Sequence, residues 1–130
     1  RAINECLSRI GYYPEVMQVL SSLGGQYKLI VASCTPHDFL RFLLADIEHR
    51  FMRVFSSVSD YRQLKSPDFY RNICEEMGVK PDRAVHVGDN WQLDFVNSRE
   101  AGLHALYLDR SGDTDHNSIT DLTQLEPYLL

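Results

Sequence analysis

The sequence predicts an α/β domain in which a parallel sheet is covered by helices on both faces. Four short apolar runs, at 27–32, 54–58, 84–87 and 104–108, alternate with segments of helical periodicity. Strands that alternate with helices build parallel sheets, and such strands are continuous apolar runs because both of their sides are buried. Polar residues follow these runs at the positions where open parallel sheets bind ligands.

The composition is that of an ordinary globular domain. Of 130 residues, 44% are hydrophobic and 24% are charged, which is enough for one domain with a real core. The formal net charge is −5 and there is no run of Lys or Arg, so we expect neither nucleic acid nor a membrane as a partner. The sequence contains no apolar stretch of membrane-spanning length and no signal peptide, and its three cysteines have no metal spacing. These features favour the cytoplasm.

Two helices are predicted before the first strand. Residues 1–12 place apolar side chains on one helical face. A second helix is predicted over 14–23, with Pro14 at its first position and two glycines after its end. The first strand then follows over 27–32.

The helix after the first strand has clear local signals. Thr35 is a suitable cap for this helix and Pro36 a suitable first residue. Apolar residues recur at helical spacing, and the helix is expected to end near His49. The stripe that we expect in the core is formed by Phe39, Leu43 and Ile47.

The second half of the chain repeats this alternation. A weaker strand over 54–58 leads into a polar loop over 59–65. A helix is predicted from Ser66-Pro67-Asp68 to Gly78, because these residues are typical of a helix start and a helix end. The last strand is predicted over 104–108, before a polar loop and a short C-terminal segment.

The stretch 84–94 contains the main candidate site. Its apolar strand ends at Gly88, which allows a sharp turn, and Asp89 follows directly. Asp94 lies five positions further on, before a predicted helix. Two carboxylates at the C-terminal end of a strand suit Mg²⁺, which prefers oxygen ligands. The structural alternative is that Asp89 belongs only to a turn and that Asp94 only caps the next helix.

Polar side chains also lie after the other strands. Ser33 follows the first strand, and Lys65 stands just before a helix. Because all strand C-termini lie at one edge of a parallel sheet, we expect both residues to converge with Asp89 and Asp94. The hydroxyl and ammonium groups would bind phosphate, and the carboxylates would hold the cation. The structural alternatives are a helix-entry serine and a solvated loop lysine, and His86 is expected to be a satisfied core histidine.

In this order, the residues resemble three motifs of the haloacid dehalogenase (HAD) superfamily. Ser33 matches the second motif, Lys65 the third, and Gly88-Asp89 with Asp94 the fourth, within a resemblance that covers 12–112. The resemblance implies a three-layer α/β/α, Rossmann-like core and a Mg²⁺-dependent phosphatase, similar to phosphoglycolate phosphatases, that acts on a small phosphorylated metabolite.

The resemblance also implies a role for each matched residue. Catalytic roles fall to Ser33, Lys65 and Asp89, and phosphate binding to Ser33, Lys65 and the backbone N–H of Cys34. The metal ligands implied are Asp89 and Asp94. Asp89 favours phosphate over halide chemistry, because dehalogenases of the superfamily work without Mg²⁺ and usually lack this carboxylate.

The sequence departs from the family at its first motif. That motif, Asp-x-Asp at the end of an N-terminal strand, supplies the nucleophile and the general acid/base. No such strand precedes Ser33, and Asp113-Thr114-Asp115 is predicted to lie in a polar loop. Residues 1–12 resemble the tail of a helical cap and 13–130 an incomplete core. The central first strand and most of the cap are therefore expected to be missing from this chain.

We expect the sheet to be completed from elsewhere, because a missing central strand leaves two buried strand edges. The segment that fills the gap is either an upstream part of the same protein or a second copy; otherwise 27–33 pairs directly with 84–88. Arg1 is an unusual natural start, which favours an upstream segment. The alternative function is a non-catalytic HAD-like fragment or interaction domain. A third interpretation, a different Rossmann-like nucleotide binder, lacks a glycine-rich first turn.

Overall fold

The computed structural model describes residues 16–24, 26–45, 48–109, 118–120 and 122–125. The helices are α1 (Val16–Gly24), α2 (His37–Leu43), α3 (Ser57–Tyr61), α4 (Pro67–Met77) and α5 (Asn97–Glu100). The strands are β1 (Ile30–Ser33), β2 (Arg53–Ser56), β3 (Val85–Gly88), β4 (His104–Leu108) and β5 (Ser118–Ile119). A π-helix over Trp91–Val96 precedes α5, and 3₁₀ turns cover Glu48–Arg50, Pro81–Arg83 and Leu122–Gln124. The predicted helix at 1–12 and the stretch Asp113-Thr114-Asp115 lie outside the described residues.

The strands form two parallel sheets instead of one. β1 pairs with β2, and Ser33 lies opposite Ser56 at the C-terminal end of this sheet. β3, β4 and β5 form the second sheet, in which Gly88 lies opposite Tyr107. Every pairing is parallel, so the predicted α/β class is confirmed. Direct pairing of β1 with β3, one of the three expected arrangements, does not occur among the described strands.

Apolar side chains pack on both faces of the strands. Val31 and Ala32 are neighbours in β1, yet they belong to different clusters because successive strand residues point to opposite faces. The first cluster includes Leu23, Leu40, Leu44, Val87, Leu106, Leu108 and Leu122. The second cluster includes Phe55, Phe69, Tyr70, Ile73 and Ala101. Helical segments therefore cover both faces, as the α/β/α prediction requires.

Helix α4 begins and ends where the sequence predicts. The Ser66 hydroxyl accepts a hydrogen bond from the Phe69 N–H at 3.2 Å, and Pro67 is the first helical residue. Gly78 closes the helix in the left-handed conformation, with φ of 67°. That conformation favours glycine because it lacks a Cβ atom. This helix positions the loop that carries Lys65.

Helix α2 differs from its prediction at both ends and in its buried face. Thr35 is not the cap; its N–H donates to the Ser33 hydroxyl at 2.9 Å, and Pro36 occupies the cap position without a side-chain bond. The helix ends at Leu43 instead of continuing to about His49. Phe39 is 64% exposed, so its assignment to the core is wrong. The buried face is formed by Leu40 and Leu44, one turn apart, and Ile47 lies outside the described residues.

The predictions of a strand over 54–58 and of a polar loop over 59–65 are also wrong in part. β2 stops at Ser56, and residues 57–61 form α3. The Ser56 hydroxyl accepts from the Ser59 N–H at 3.0 Å, while the Asp60 carboxylate accepts from the Ser56 N–H at 2.9 Å. These reciprocal bonds resemble a capping box and stabilise a helix start that apolar periodicity alone does not reveal.

The remaining strand boundaries differ by less. β1 begins at Ile30 instead of residue 27. The strand predicted as the last one, β4, is followed by β5, a two-residue strand whose Ile119 is buried. Strands of two residues leave almost no periodic signal, so β5 could not be read from the sequence.

A cavity of about 410 Å³ is lined by residues of both sheets. Residues of β1 and β3 contribute to the lining, together with side chains of α4 and the segments before both strands. The lining is mostly apolar and includes Ile30, Ala32, Ile73, Met77, Val85 and Val87. The helices within the described ranges are all too short or too polar to cross a membrane.

Candidate functional site

The C-terminal end of β3 is built around a close contact between Gly88 and Asp94. A Cβ atom placed on Gly88 would overlap the Asp94 carboxyl group. Only glycine therefore permits this approach without a shift of the backbone or of the carboxylate. The Gly-Asp spacing in the sequence thus has a structural cause: the second carboxylate folds back onto the strand end.

Asp94 lies inside a π-helix. The helix begins at Trp91, and the Asn90 side chain caps it by accepting from the Leu93 N–H at 2.9 Å. Asp94 is therefore not the helix cap, and the prediction that a helix starts only after it is wrong. The Asp94 N–H donates to the Asn90 carbonyl at 2.8 Å. π-Helical turns are rare and are frequently found at functional sites.

The Asp94 carboxylate is a buried acceptor for three donors. Its Oδ1 atom accepts from the Lys65 ammonium and lies 3.1 Å from Nε2 of His86. Its Oδ2 atom accepts from the Asn90 N–H at 3.0 Å. The side chains of Lys65 and Asp94 are both 0% exposed. Lys65 is therefore not a solvated loop lysine, and His86 is the satisfied core histidine that the sequence predicts.

Burial and pairing act in opposite directions on the pKa of Asp94. Burial alone would raise the pKa of this carboxyl group, but the hydrogen bond from His86 and the charge of Lys65 hold it well below its usual range. For His86, burial dominates and lowers the pKa from 6.5 to about 3. At neutral pH the centre therefore combines an ionised Asp94 with a neutral imidazole.

Three further contacts hold this centre in place. The Tyr70 hydroxyl donates to the Leu93 carbonyl at 2.5 Å, and the Tyr70 ring packs on the His86 ring with centroids 4.9 Å apart. The Asn97 amide donates to the Lys65 carbonyl at 2.9 Å. Helix α4, the Lys65 loop, β3 and the π-helix are thereby connected through side chains.

The other predicted residues lie at the C-terminal ends of strands. Ser33 is fully buried at the end of β1, and its hydroxyl is oriented by the Thr35 N–H. Cys34, which follows it, is partly buried and has a reduced thiol. Asp89 is partly buried directly after β3. The structure therefore brings Lys65 and Asp94 into contact, and places Ser33 and Asp89 at the C-terminal ends of different sheets.

The donor set fits a Mg²⁺ ion only in part. Asp89 offers a hard carboxylate ligand at a strand end, and Mg²⁺ in proteins usually has one or two such ligands and several waters. Both oxygens of Asp94 already accept hydrogen bonds, so direct coordination would compete with Lys65, His86 or Asn90. Within the described ranges, no three His, Cys, Asp or Glu side chains form a group that could hold a metal.

Sequence reasoning missed how these residues are connected. It placed His86 in the core but did not assign Asp94 as its partner, and it did not single out Tyr70 or Asn97. The available signal was a histidine inside an otherwise apolar strand, since a buried polar group needs a hydrogen-bond partner. Which partner it has depends on how β3 packs against the π-helix, which periodicity does not encode.

Comparisons with known proteins identify the family of the chain. The sequence model of a hydrolase family, the haloacid dehalogenase-like hydrolases, matches residues 2–102. The chain is 25% identical over 101 residues to glyceraldehyde 3-phosphate phosphatase of Methanopyrus kandleri, an alignment that covers 75% of this chain and 43% of that protein.

Solved structures show the same fold. A HAD phosphatase from Thermococcus onnurineus aligns with a TM-score of 0.81 and 28% identity, covering 97% of this chain and 63% of that one. A 2-haloacid dehalogenase from Pseudomonas syringae pv. Tomato DC3000 aligns with a TM-score of 0.80 and 25% identity, covering 93% of this chain and 54% of that one. The chain thus spans less than two thirds of the length of each of these relatives.

Proposed function

The chain belongs to the haloacid dehalogenase-like hydrolases, and we propose that it provides the phosphate-binding part of a Mg²⁺-dependent phosphatase for a small phosphorylated metabolite. The observation that carries this proposal is the buried Lys65 ammonium, held by Asp94 beside the Gly88 turn. A cation fixed in this way is preorganised to stabilise the negative charge of a phosphate without further rearrangement. Burial of a lysine is costly, and a purely structural role would be served as well by apolar residues.

Ser33 and Cys34 are proposed to bind the same phosphate as Lys65. The Ser33 hydroxyl accepts from the Thr35 N–H, and a hydroxyl group that accepts in this way still has a proton to donate. The backbone N–H of Cys34, one residue further along, offers a second neutral donor. Together with the Lys65 charge, these donors suit an anion with several acceptor oxygens.

Asp89 is proposed as the metal ligand. It directly follows β3 and is partly buried, where an oxygen ligand can be shared between a cation and solvent. Bound Mg²⁺ would neutralise phosphate charge and polarise the scissile bond. Asp94 would hold Lys65 in place instead of binding the metal directly, because both of its oxygens already accept hydrogen bonds from Lys65, His86 or Asn90. Asp89 also favours phosphate over halide chemistry, in line with the phosphatase relatives.

The nucleophile is proposed to come from an upstream segment of the same protein. The strands that the structure describes end at Ser33, Ser56, Gly88, Leu108 and Ile119, and none of them leads into Asp-x-Asp. The cavity of about 410 Å³, lined by residues of β1 and β3, supports completion by an additional strand, since among the described strands β1 and β3 each pair with a neighbour on one side only. A second copy of the chain is the alternative occupant.

The alternative function is a non-catalytic HAD-like interaction domain. The observation in its favour is that the described strands lack the nucleophile motif. The domain would then keep the Lys65–Asp94 pair for stability alone. The two functions differ in one respect: only a phosphatase requires Lys65 and Asp89 for turnover.

The experiment is a phosphatase assay of the whole protein, including its upstream segment, with a generic phosphate ester and Mg²⁺. Lys65→Ala and Asp89→Asn should each lower kcat/KM by about 10² or more, because each removes a preorganised charge. Lys80→Ala, which removes an exposed lysine, is the matched control and should leave the rate unchanged. Circular dichroism confirms that each variant is folded. Near-normal turnover in both site variants would refute the assignment.

Mg²⁺ binding provides a second test. Isothermal titration of Mg²⁺ into the whole protein should show binding that Asp89→Ala abolishes or strongly weakens. Equal affinity in wild type and variant would exclude Asp89 as the ligand.

A further inference from the structure

His86 is a buried polar residue in the middle of an apolar strand. It lies on β3 between Val85 and Val87, opposite Ala105 of β4, and its side chain is only 10% exposed. Burial of an imidazole without partners is unfavourable, so its hydrogen bonds must compensate. Its Nε2 atom lies 3.1 Å from Oδ1 of Asp94.

The direction of this hydrogen bond follows from chemistry. An ionised carboxylate only accepts, so Nε2 of His86 carries the proton and donates it to Asp94. The same oxygen also accepts from Lys65, while the other oxygen accepts from the Asn90 N–H. Three donors from three segments therefore fix the Asp94 carboxylate, and the two on Oδ1 come from β3 and the Lys65 loop.

We infer that His86 is a positioning residue that sets the orientation of the Lys65 ammonium through Asp94. The inference rests on the proposed function in one respect, namely that the Lys65 ammonium binds phosphate. Without the His86 donor, the carboxylate would be held by Lys65 on one oxygen and Asn90 on the other. One bond on each oxygen would fix the carboxylate less firmly than the three donors do, and the Lys65 ammonium bonded to Oδ1 would shift with it.

The surroundings of His86 make it suited to this role. Tyr70 packs against the imidazole with ring centroids 4.9 Å apart, and its hydroxyl is bonded to the Leu93 carbonyl. The imidazole is thereby held on one side by α4, and the π-helix that carries Asp94 is fixed by the same tyrosine. His86 also lines the cavity between the sheets, where a completing strand would contact it.

The test compares two substitutions of His86 in the whole protein. His86→Leu fills a similar volume but cannot donate, whereas His86→Gln keeps an amide donor. His104→Leu is the matched control, since His104 is an exposed histidine on the neighbouring strand. The direct readout is the ¹H–¹⁵N NMR signal of the Lys65 ammonium, which a buried, hydrogen-bonded lysine protects from exchange.

The expected result is specific to the donor. His86→Leu should shift the Lys65 ammonium signal and speed its proton exchange, and should lower kcat by about 10–100-fold with little change in KM, as loss of an outer-shell orienting bond does. His86→Gln should restore the signal and most of kcat, and His104→Leu should change neither. An unchanged Lys65 signal in folded His86→Leu protein would overturn the inference.

The two proposals fail in different ways. Absence of phosphatase activity in the wild type would refute the proposed function, yet the Lys65 ammonium signal would still decide whether His86 positions it. Loss of activity in His86→Leu with an unchanged Lys65 signal would leave the phosphatase assignment intact and refute the positioning role. Should His86→Leu fail to fold, the Lys65 signal of His86→Gln decides: a signal like that of the wild type supports the role, and loss of the signal contradicts it.

Discussion

The serine hydroxyls at the C-terminal ends of β1 and β2 accept hydrogen bonds from nearby backbone N–H groups, whereas the Asp94 carboxylate at the end of β3 also accepts from a side chain distant in sequence. Ser33 accepts from an N–H two residues ahead, and Ser56 from one three residues ahead. Asp94, by contrast, accepts from Lys65, 29 residues away in sequence. The first arrangement orders a turn, and the second holds a buried charge at a defined point. In the proposed function, the second arrangement fixes the charge that stabilises phosphate.

Removal of the central carboxylate should have the largest effect on stability. Asp94→Ala removes the carboxylate that pairs with the buried Lys65, and breaking such a buried pair typically costs about 3–5 kcal/mol of unfolding free energy. Urea unfolding of the whole protein measures this loss. Asp68→Ala, which breaks an exposed pair with Arg71, is the control and should cost less than about 1 kcal/mol. Similar losses in both variants would contradict the difference between buried and exposed pairs.

A methyl group on Gly88 should be the next most damaging change. Gly88→Ala places a Cβ atom where the Asp94 carboxyl group lies, and forced overpacking of this kind costs about 1–3 kcal/mol. Gly24→Ala provides the control, because a Cβ there has nothing within 4 Å. The midpoint temperature of thermal unfolding should be clearly lower for Gly88→Ala than for the wild type and for Gly24→Ala. Equal midpoints in all three proteins would mean that the Asp94 carboxyl group can move away from the added Cβ atom without a loss of stability.

The pH dependence of stability should report on His86. Its folded pKa of about 3 lies below the ordinary 6.5, so the unfolded chain binds a proton that the folded chain excludes. Stability should therefore fall as pH decreases from about 6.5 toward 3, by at most about 1.4 kcal/mol per pH unit from this group. Denaturant unfolding at several pH values measures the slope, and His86→Gln should remove most of it. A slope that persists in the variant would assign the effect to other groups.

The exposed ion pair between Arg53 and Glu76 should matter least. Both side chains are nearly half exposed, at 47% and 48%, and their 3.0 Å contact is open to solvent and salt. Glu76→Gln should change the unfolding free energy by less than about 1 kcal/mol, and added salt should shrink that difference further. A loss of stability as large as that of Asp94→Ala would show that burial does not explain why the Lys65–Asp94 pair contributes more than the Arg53–Glu76 pair.

Local chemistry explains what could be predicted from the sequence. Ser66 and Gly78 mark the ends of α4 because capping needs only neighbouring atoms, and the apolar run before Gly88 marks β3 for the same reason. Helix α3 was missed because no Gly or Pro separates it from β2, and Val58 resembles a continuation of the apolar residues Val54 and Phe55. Phe39 was misplaced because a helical stripe can be drawn through it as well as through Leu40.

The site was predictable in part for a similar reason. Asp89, Asp94, Lys65 and Ser33 could be selected because each follows or precedes a regular element. The contact of Lys65 with Asp94, and the donor role of His86, depend on the packing of three separate segments. The same holds for the cavity, since its shape depends on how two sheets are placed and no sequence pattern encodes that.

The central claim is that this chain binds phosphate and metal for a reaction whose nucleophile lies in an upstream segment. The most direct test is hydrolysis of a generic phosphate ester with Mg²⁺, measured for the 130-residue chain alone and for the protein with that segment. Each preparation is tested with and without Asp89→Ala and checked by mass spectrometry. The account predicts turnover only in the longer protein, lost in Asp89→Ala. Turnover by the 130-residue chain alone that Asp89→Ala abolishes would contradict it.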